Sequence, residues 1–298
     1  MRQVLFLIFL STFACMHAQK VKVSSGKVVR HELFDSEYVD ARNVDVWLPE
    51  GYCAEKQYAV IYMHDGQMLF DASSTWNKQE WGVDEVMSEL MKTKRIRDCI
   101  VVGIWNNDGK RNAEYFPQRA WEMQSKERQK EILSDDKVLN NPAGTEHGLL
   151  ANDYLRFIVR ELKPFIDAHY STKSAKTNTF IMGSSMGGLI SAYAICEYPG
   201  VFGGAICMST HWPAADGVVL AYIKDNLPNP DTHKIYFDYG TATLDALYEP
   251  YQLKVDKMMV ERGYKKEKNF KSDKFEGEPH TEEAWNKRLH IPLAFMLK

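Results

Sequence analysis

Charge of a single sign is the first thing this chain lacks. Its 37 Lys and Arg against 40 Asp and Glu leave a formal net charge of -3. That balance gives no electrostatic case for a nucleic acid or an anionic membrane surface as partner. Apolar runs of membrane-spanning length are missing as well, since the run from Val4 to Leu10 is too short to cross a bilayer. His and Cys nowhere cluster with zinc-ligand spacing, and neither a Gly-x-Gly-x-x-Gly turn nor a phosphate-binding loop occurs. No metal and no cofactor is therefore expected. Cysteine is scarce, with Cys15, Cys53, Cys99, Cys196 and Cys207 showing no disulfide framework in their spacing. Cys99 opens a strand pattern, Cys196 lies in a helical one and Cys207 in another strand. Buried free thiols account for those three, and a disulfide among the four later cysteines stays open.

What is present divides at residue 18. Arg2, the apolar stretch to Leu10 and the small Ala18 before Gln19 have the form of a secretory leader, cleaved after Ala18. Lipid attachment at Cys15 is the alternative. Residues 19–298 then form one domain, secreted or periplasmic. The full chain's 45% hydrophobic and 12% aromatic content is enough for one large core.

Strand and helix patterns alternate along that domain. Strands are expected at Val44 to Leu48, Tyr58 to Met63, Cys99 to Ile104, Thr179 to Met182, Gly204 to Met208, Lys234 to Tyr239 and Phe270 to Phe275. Helical spacing runs from Trp81 to Lys94, from Asp153 to His169 with a kink or break at Pro164, and from Pro250 to Arg262. It returns at the C-terminus. Such alternation predicts an α/β fold, a mostly parallel sheet with helices on both faces. The charged stretch from Glu122 to Asn141 reads as a surface insertion, a partly helical flap near the site. The run Lys265-Lys266-Glu267-Lys268 reads as a solvated loop.

One turn carries chemistry. Gly183-Ser184-Ser185-Met186-Gly187 sits between a strand pattern and the small, apolar helix start Gly188-Leu189-Ile190. A Gly-x-Ser-x-Gly turn in that setting forces strained backbone at the serine and exposes its hydroxyl, which makes Ser185 the candidate nucleophile. A serine needs a base, and His211, His233, His280 and His290 follow it. His233 precedes its strand and so lies at the wrong edge of the sheet, while His290 falls in the last helix pattern. His280 follows the last strand and precedes the last helix pattern, where the base belongs. Asp245, on the loop after Lys234 to Tyr239, is the preferred acid, with Asp238 and Glu249 as alternatives.

Acyl transfer also needs amides aimed at the developing oxyanion. Met186, next to the nucleophile, supplies one, and Gln67, in the turn after Tyr58 to Met63, is chosen for the other. His64 and Asp65 are read as satisfying local backbone groups in that turn. Trp76, Trp81, Trp105, Tyr115 and Trp212 fall in loops at the carboxyl edge. Of these, Trp105, Tyr115 and Trp212 are taken as candidate substrate contacts. Arg111 and Glu114-Tyr115 read equally as a buried ion-pair corner or as a specificity element.

Several stretches together resemble a known family. IYMHDGQMLFD (61–71), WGVDEVMSELM (81–91) and YLRFIVRELKPFID (154–167) are three of them. The elbow region 180–209, IYFDYGT (235–241) and GEPHTEEAWNKRL (277–289) complete the set. The chain is similar to the putative-esterase family of alpha/beta-hydrolases, which includes feruloyl and acetyl-xylan esterases, siderophore esterases, S-formylglutathione hydrolase and mycolyltransferases. The likeness runs from about Val44 to the C-terminus. It implies Ser185 as nucleophile, Asp245 as acid, His280 as base, and Gln67 and Met186 as oxyanion donors. It also implies a small-molecule or polysaccharide-linked ester as substrate, with removal of feruloyl or acetyl groups from plant polysaccharide the favoured activity. An acyltransferase, or a glycan-binding module without catalysis, are the alternatives.

Overall fold

The computed structural model describes residues 21–135 and 148–298. The expected leader with Cys15 and the last part of the charged insertion fall outside the described residues. The first part of that insertion is helical over Lys126–Ser134, with Ser125 capping it through the Arg128 amide.

Eight strands form one sheet: β1 (Lys27–Phe34), β2 (Arg42–Leu48), β3 (Ala59–His64), β4 (Cys99–Ile104), β5 (Thr179–Ser184), β6 (Gly204–Met208), β7 (Lys234–Gly240) and β8 (Phe270–Phe275). Their order is β1-β2-β4-β3-β5-β6-β7-β8. β1 with β2 and β2 with β4 are antiparallel, and every later pairing is parallel. Strands β3 to β6 are buried along their whole length, which is why they read as unbroken apolar runs rather than alternating ones. This is the mostly parallel α/β sheet that the alternating patterns predict, and the alpha/beta-hydrolase fold that the resemblance implies.

Each face carries its own core. On one, the helix Met186–Glu197 packs Leu189, Ile190 and Tyr193 with Tyr154, Phe157 and Ile158. On the other, Met87 and Leu90 of the helix Val83–Lys92 meet Leu293 and Leu297 of the last helix over Ile61, Val101 and Met182. The helix through Pro164 is divided as the proline demands. Ala151–Arg156 and Lys163–His169 flank a wider π turn, Phe157–Leu162, which absorbs the missing proline N–H. Cys99, Cys196 and Cys207 are buried free thiols and Cys53 is an exposed one. Among the described residues, no helix is long and apolar enough to cross a membrane.

Candidate active site

Strand β5 runs straight into the helix Met186–Glu197 through Ser185, whose φ of 57° and ψ of -123° lie far from ordinary L-residue basins. Such a conformation costs about 1–3 kcal/mol and persists only where the surroundings enforce it. Here they do. The Ser185 N–H donates to the Met208 carbonyl (3.0 Å), and the Ser185 carbonyl accepts from Leu189 (3.0 Å) and His211 (3.2 Å). Gly183 is obligatory, because a Cβ there would sit 2.7 Å from the Gly187 backbone. With its own amide committed to Met208, Ser185 leaves Met186, the first residue of the helix, with an N–H lacking an intrahelical acceptor.

At the end of β7 the chain turns so that Asp245 is wholly buried. Its Oδ1 accepts from Nδ1 of His280 at 2.5 Å, and its Oδ2 accepts from the Gly240 amide and the Ser209 hydroxyl, both at 2.6 Å. Burial alone would push this carboxyl up. The hydrogen bond and charge of His280, with Ser209 and Gly240, outweigh it and hold Asp245 below the ordinary carboxylate range. Because an ionised carboxylate only accepts, Nδ1 of His280 is the donor in this bond, which leaves Nε2 as the ring nitrogen not committed to Asp245. The ring is fixed further by edge contacts with Trp285 (4.9 Å) and Tyr248 (5.8 Å), and its backbone N–H donates to Thr243 Oγ1 at 2.8 Å.

The alternative acids are engaged elsewhere. Asp238 is buried against Arg288 (3.0 Å) and accepts from the Ser209 amide. Burial raises its pKa to about 6 against the opposing pull of Arg288. Glu249 pairs with Lys274 at 2.9 Å. The other downstream histidines are also accounted for. His233, at the amino end of β7, bonds the carbonyls of Pro199 and Asn229, and His290 is exposed at the start of the last helix.

Ser209 holds the acid from behind, and no motif marks it. Trp285 Nε1 (3.0 Å) and Arg288 Nη2 (2.8 Å) both point at its hydroxyl oxygen, and neither group can accept. The single Ser209 proton is therefore directed at Asp245. Tyr248 was equally hidden in the sequence. Its hydroxyl is 2.6 Å from Nδ1 of His211 and interacts with the Ser185 side chain. His211 is only 2% exposed and its Nε2 has no partner. Burial, with the positive charges of His280 and Arg111, lowers its pKa to about 4, so it is neutral at ordinary pH.

The turn after β3 differs from its sequence reading. Asp65 does not serve local backbone. Its carboxylate accepts from Arg111 Nε and Nη2, both at 2.8 Å, and from Asn106 Nδ2 at 2.6 Å. Burial would raise its pKa, but Arg111 and Asn106 reverse that and keep it charged. His64 bonds the Tyr154 hydroxyl (2.8 Å) instead of a local amide. Together these contacts clamp the turn Gly66–Met68, in which Gln67 Oε1 accepts the Asn106 amide at 3.2 Å. Gly66 permits this placement, since a Cβ would come within 2.6 Å of the Gly103 backbone. The clamped turn also borders the elbow: a Cβ on Gly187 would meet Asp65 Oδ2 at 3.3 Å and His64 Cβ at 3.4 Å.

The aromatic contacts need correction. Tyr115 and Trp212 are fully buried, so neither offers a ring to a substrate. Tyr115 packs between His64 and Tyr154 and its hydroxyl accepts from the Asp65 amide. Trp212 donates to Gln252 and packs on Phe237. Trp105 donates to Asp45 (2.8 Å) and lies under Arg30, inside an ion-pair cluster at the antiparallel end of the sheet. Glu114 forms a separate buried pair with Arg42, so the expected corner is two ion pairs rather than one. The exposed ring is Trp76, 85% accessible. Its neighbour Asn77 bonds Glu282, two residues beyond His280.

The family model described as "Putative esterase" matches residues 36–296. The chain belongs to the esterase family. It is an ester hydrolase on that evidence. The esterase is 26% identical over 224 residues to an uncharacterized protein, YjcH, of Bacillus subtilis (strain 168), covering 74% of this chain and 76% of that one. Among solved structures it is similar to the BES protein from Bacillus cereus, with 16% identity and a TM-score of 0.64 over 94% of this chain and 98% of that one. A ferulic acid esterase matches with 17% identity and a TM-score of 0.60, over 91% and 97% of the two chains. These structural likenesses concern the fold.

Proposed function

We propose that the esterase is an exported serine carboxylesterase, a single catalytic domain over residues 19–298 released from a leader at 1–18. In this reading His280 Nε2 takes the Ser185 Oγ proton as the oxygen attacks the ester carbonyl. The amides of Gln67 and Met186 receive the charge that develops on the carbonyl oxygen. Collapse of the tetrahedral intermediate breaks the bond to the alcohol, which leaves with the proton now on His280. Water then gives a proton to His280 and attacks the acyl-serine, and the acid departs as Ser185 recovers its proton. Asp245 orients His280 and stabilises its charged form throughout. The observation that carries the reading is the 2.5 Å bond from His280 to the buried Asp245, with Tyr248 in contact with both that histidine and the serine of the strained elbow.

For substrate class, the neighbours described as ferulic acid and enterobactin esterases make aryl-acid esters the first compounds to test. Exposed Trp76, whose neighbour Asn77 bonds Glu282 in the helix after His280, is the candidate ring to stack on such a group. Hydrolysis of 4-nitrophenyl acetate tests the mechanism. Wild type is expected to turn over, with Ser185→Ala and His280→Ala each lower in kcat by about 10⁴-fold or more. Substantial turnover by either folded variant would contradict it.

A further inference from the structure

At the amino ends of the parallel strands, opposite the ester site, lies a cavity of about 480 Å³. Lys234 opens β7 there, Asn269 precedes β8, and Gly203 precedes β6. Its charged lining is Arg97, Lys176, Lys234, Lys265 and Lys268 against the lone acid Asp231. Such a concentration of cations is unexpected in a chain of net charge -3.

The neighbouring acids do not neutralise it. In the Lys265–Lys268 loop, Glu267 pairs outside the cavity with Lys271 at 3.0 Å, and the charge of Lys266 acts on Asp256. Neither Glu267 nor Lys266 lines the cavity, which leaves Lys265 and Lys268. Among the described residues, no ion pair engages Lys176, Lys265 or Lys268. Half-buried Lys234 donates to the Phe295 carbonyl and lies over the Phe295 ring. Burial first, and then the charges of Arg97 and Lys298, lower its pKa.

The walls are held in place. Asn269 bonds the Pro230 carbonyl (2.6 Å) and accepts the Lys265 amide (2.7 Å), tying the two rim loops together. His233 anchors its own loop to Pro199, and Arg97 is fixed by the Leu297 carbonyl and the main-chain carboxyl oxygen of Lys298. Phe180, Pro230 and Met296 add apolar lining.

We propose that this cavity binds a compact anion carrying two or more phosphoryl or carboxylate groups. Several separated cations around a preformed hollow suit a multivalent anion better than a single charge. The volume is that of a small-molecule site. The inference stands independently of the mechanism at Ser185.

Calorimetric titration of the full chain with pyrophosphate, and separately with citrate, in low-chloride buffer tests it. Sub-millimolar binding of at least one is expected, weakened by added salt. The double variant Lys265→Gln/Lys268→Gln should bind about tenfold or more weakly. Lys266→Gln, one residue away but outside the cavity lining, should bind like wild type, and ester hydrolysis should be unchanged in both variants. Binding of pyrophosphate alone would assign the site to phosphoryl groups, and of citrate alone to carboxylates. Absence of binding by wild type, or equal weakening in Lys266→Gln and the double variant, would overturn the proposal.

Discussion

The two ends of the parallel strands treat charge in opposite ways. At the carboxyl end the buried acids around the elbow are paired: Asp65 with Arg111, Asp238 with Arg288, Asp245 with His280. At the amino end, lysines surround a hollow with one acid among them. Buried pairs of the first kind contribute little net stability, because desolvation offsets their attraction, but they fix geometry. Unpaired cations of the second kind fix nothing by themselves and leave a field for something else to meet. Positional accuracy is thus concentrated at the end that carries Ser185, Asp245 and His280.

Substitutions can break this contrast, beginning with the largest effect. Asp245→Asn and Asp238→Asn should separate the two neighbouring acids by role. The first is expected to lower kcat by about 10²–10⁴-fold with the fold retained. The second, which strands Arg288, should lower stability by about 3 kcal/mol or more while the surviving folded enzyme keeps much of its kcat. Denaturant melts and initial rates on both variants check this, and full activity in Asp245→Asn would move the acid elsewhere. Ser209→Ala should reduce kcat about tenfold with little change in KM, because Asp245 loses a donor that only tunes it.

Acid stability sharpens the same comparison. His211 has its folded pKa lowered to about 4 from 6.5, so below 6.5 the unfolded chain binds protons that the folded one refuses. Stability is therefore complete above pH 6.5 and falls as pH drops toward 4, by roughly 3 kcal/mol from this residue. His211→Gln should flatten that part of the melting profile, and an unchanged slope would contradict a buried neutral imidazole. The smallest effect is expected at the rim. Trp76→Ala should raise KM for aryl esters a few-fold and leave kcat for 4-nitrophenyl acetate nearly intact.

Much of the fold was legible because strands buried on both faces must be apolar throughout. β4 and β6 match their expected spans residue for residue. β1 escaped because it is an edge strand with Lys27, Arg30, His31 and Glu32 along it, and such a strand carries no apolar signature. Ser185 was visible because its turn demands glycines on both sides, whereas no local rule marks Ser209, Tyr248 or Arg288. Their roles arise from contacts between residues far apart in the chain. Trp212 and Tyr115 were misplaced for a related reason. Loop position suggests exposure, but Gln252 and Asp65 supply the partners that let these polar aromatics be buried.

The most direct test of the central claim is covalent labelling with a fluorophosphonate probe, followed by peptide mapping of the modified residue. An activated serine reacts without any need for its natural substrate. Stoichiometric label on Ser185, lost in His280→Ala, is the predicted result. A well-folded protein that takes no label, or takes it on another serine, would contradict the assignment.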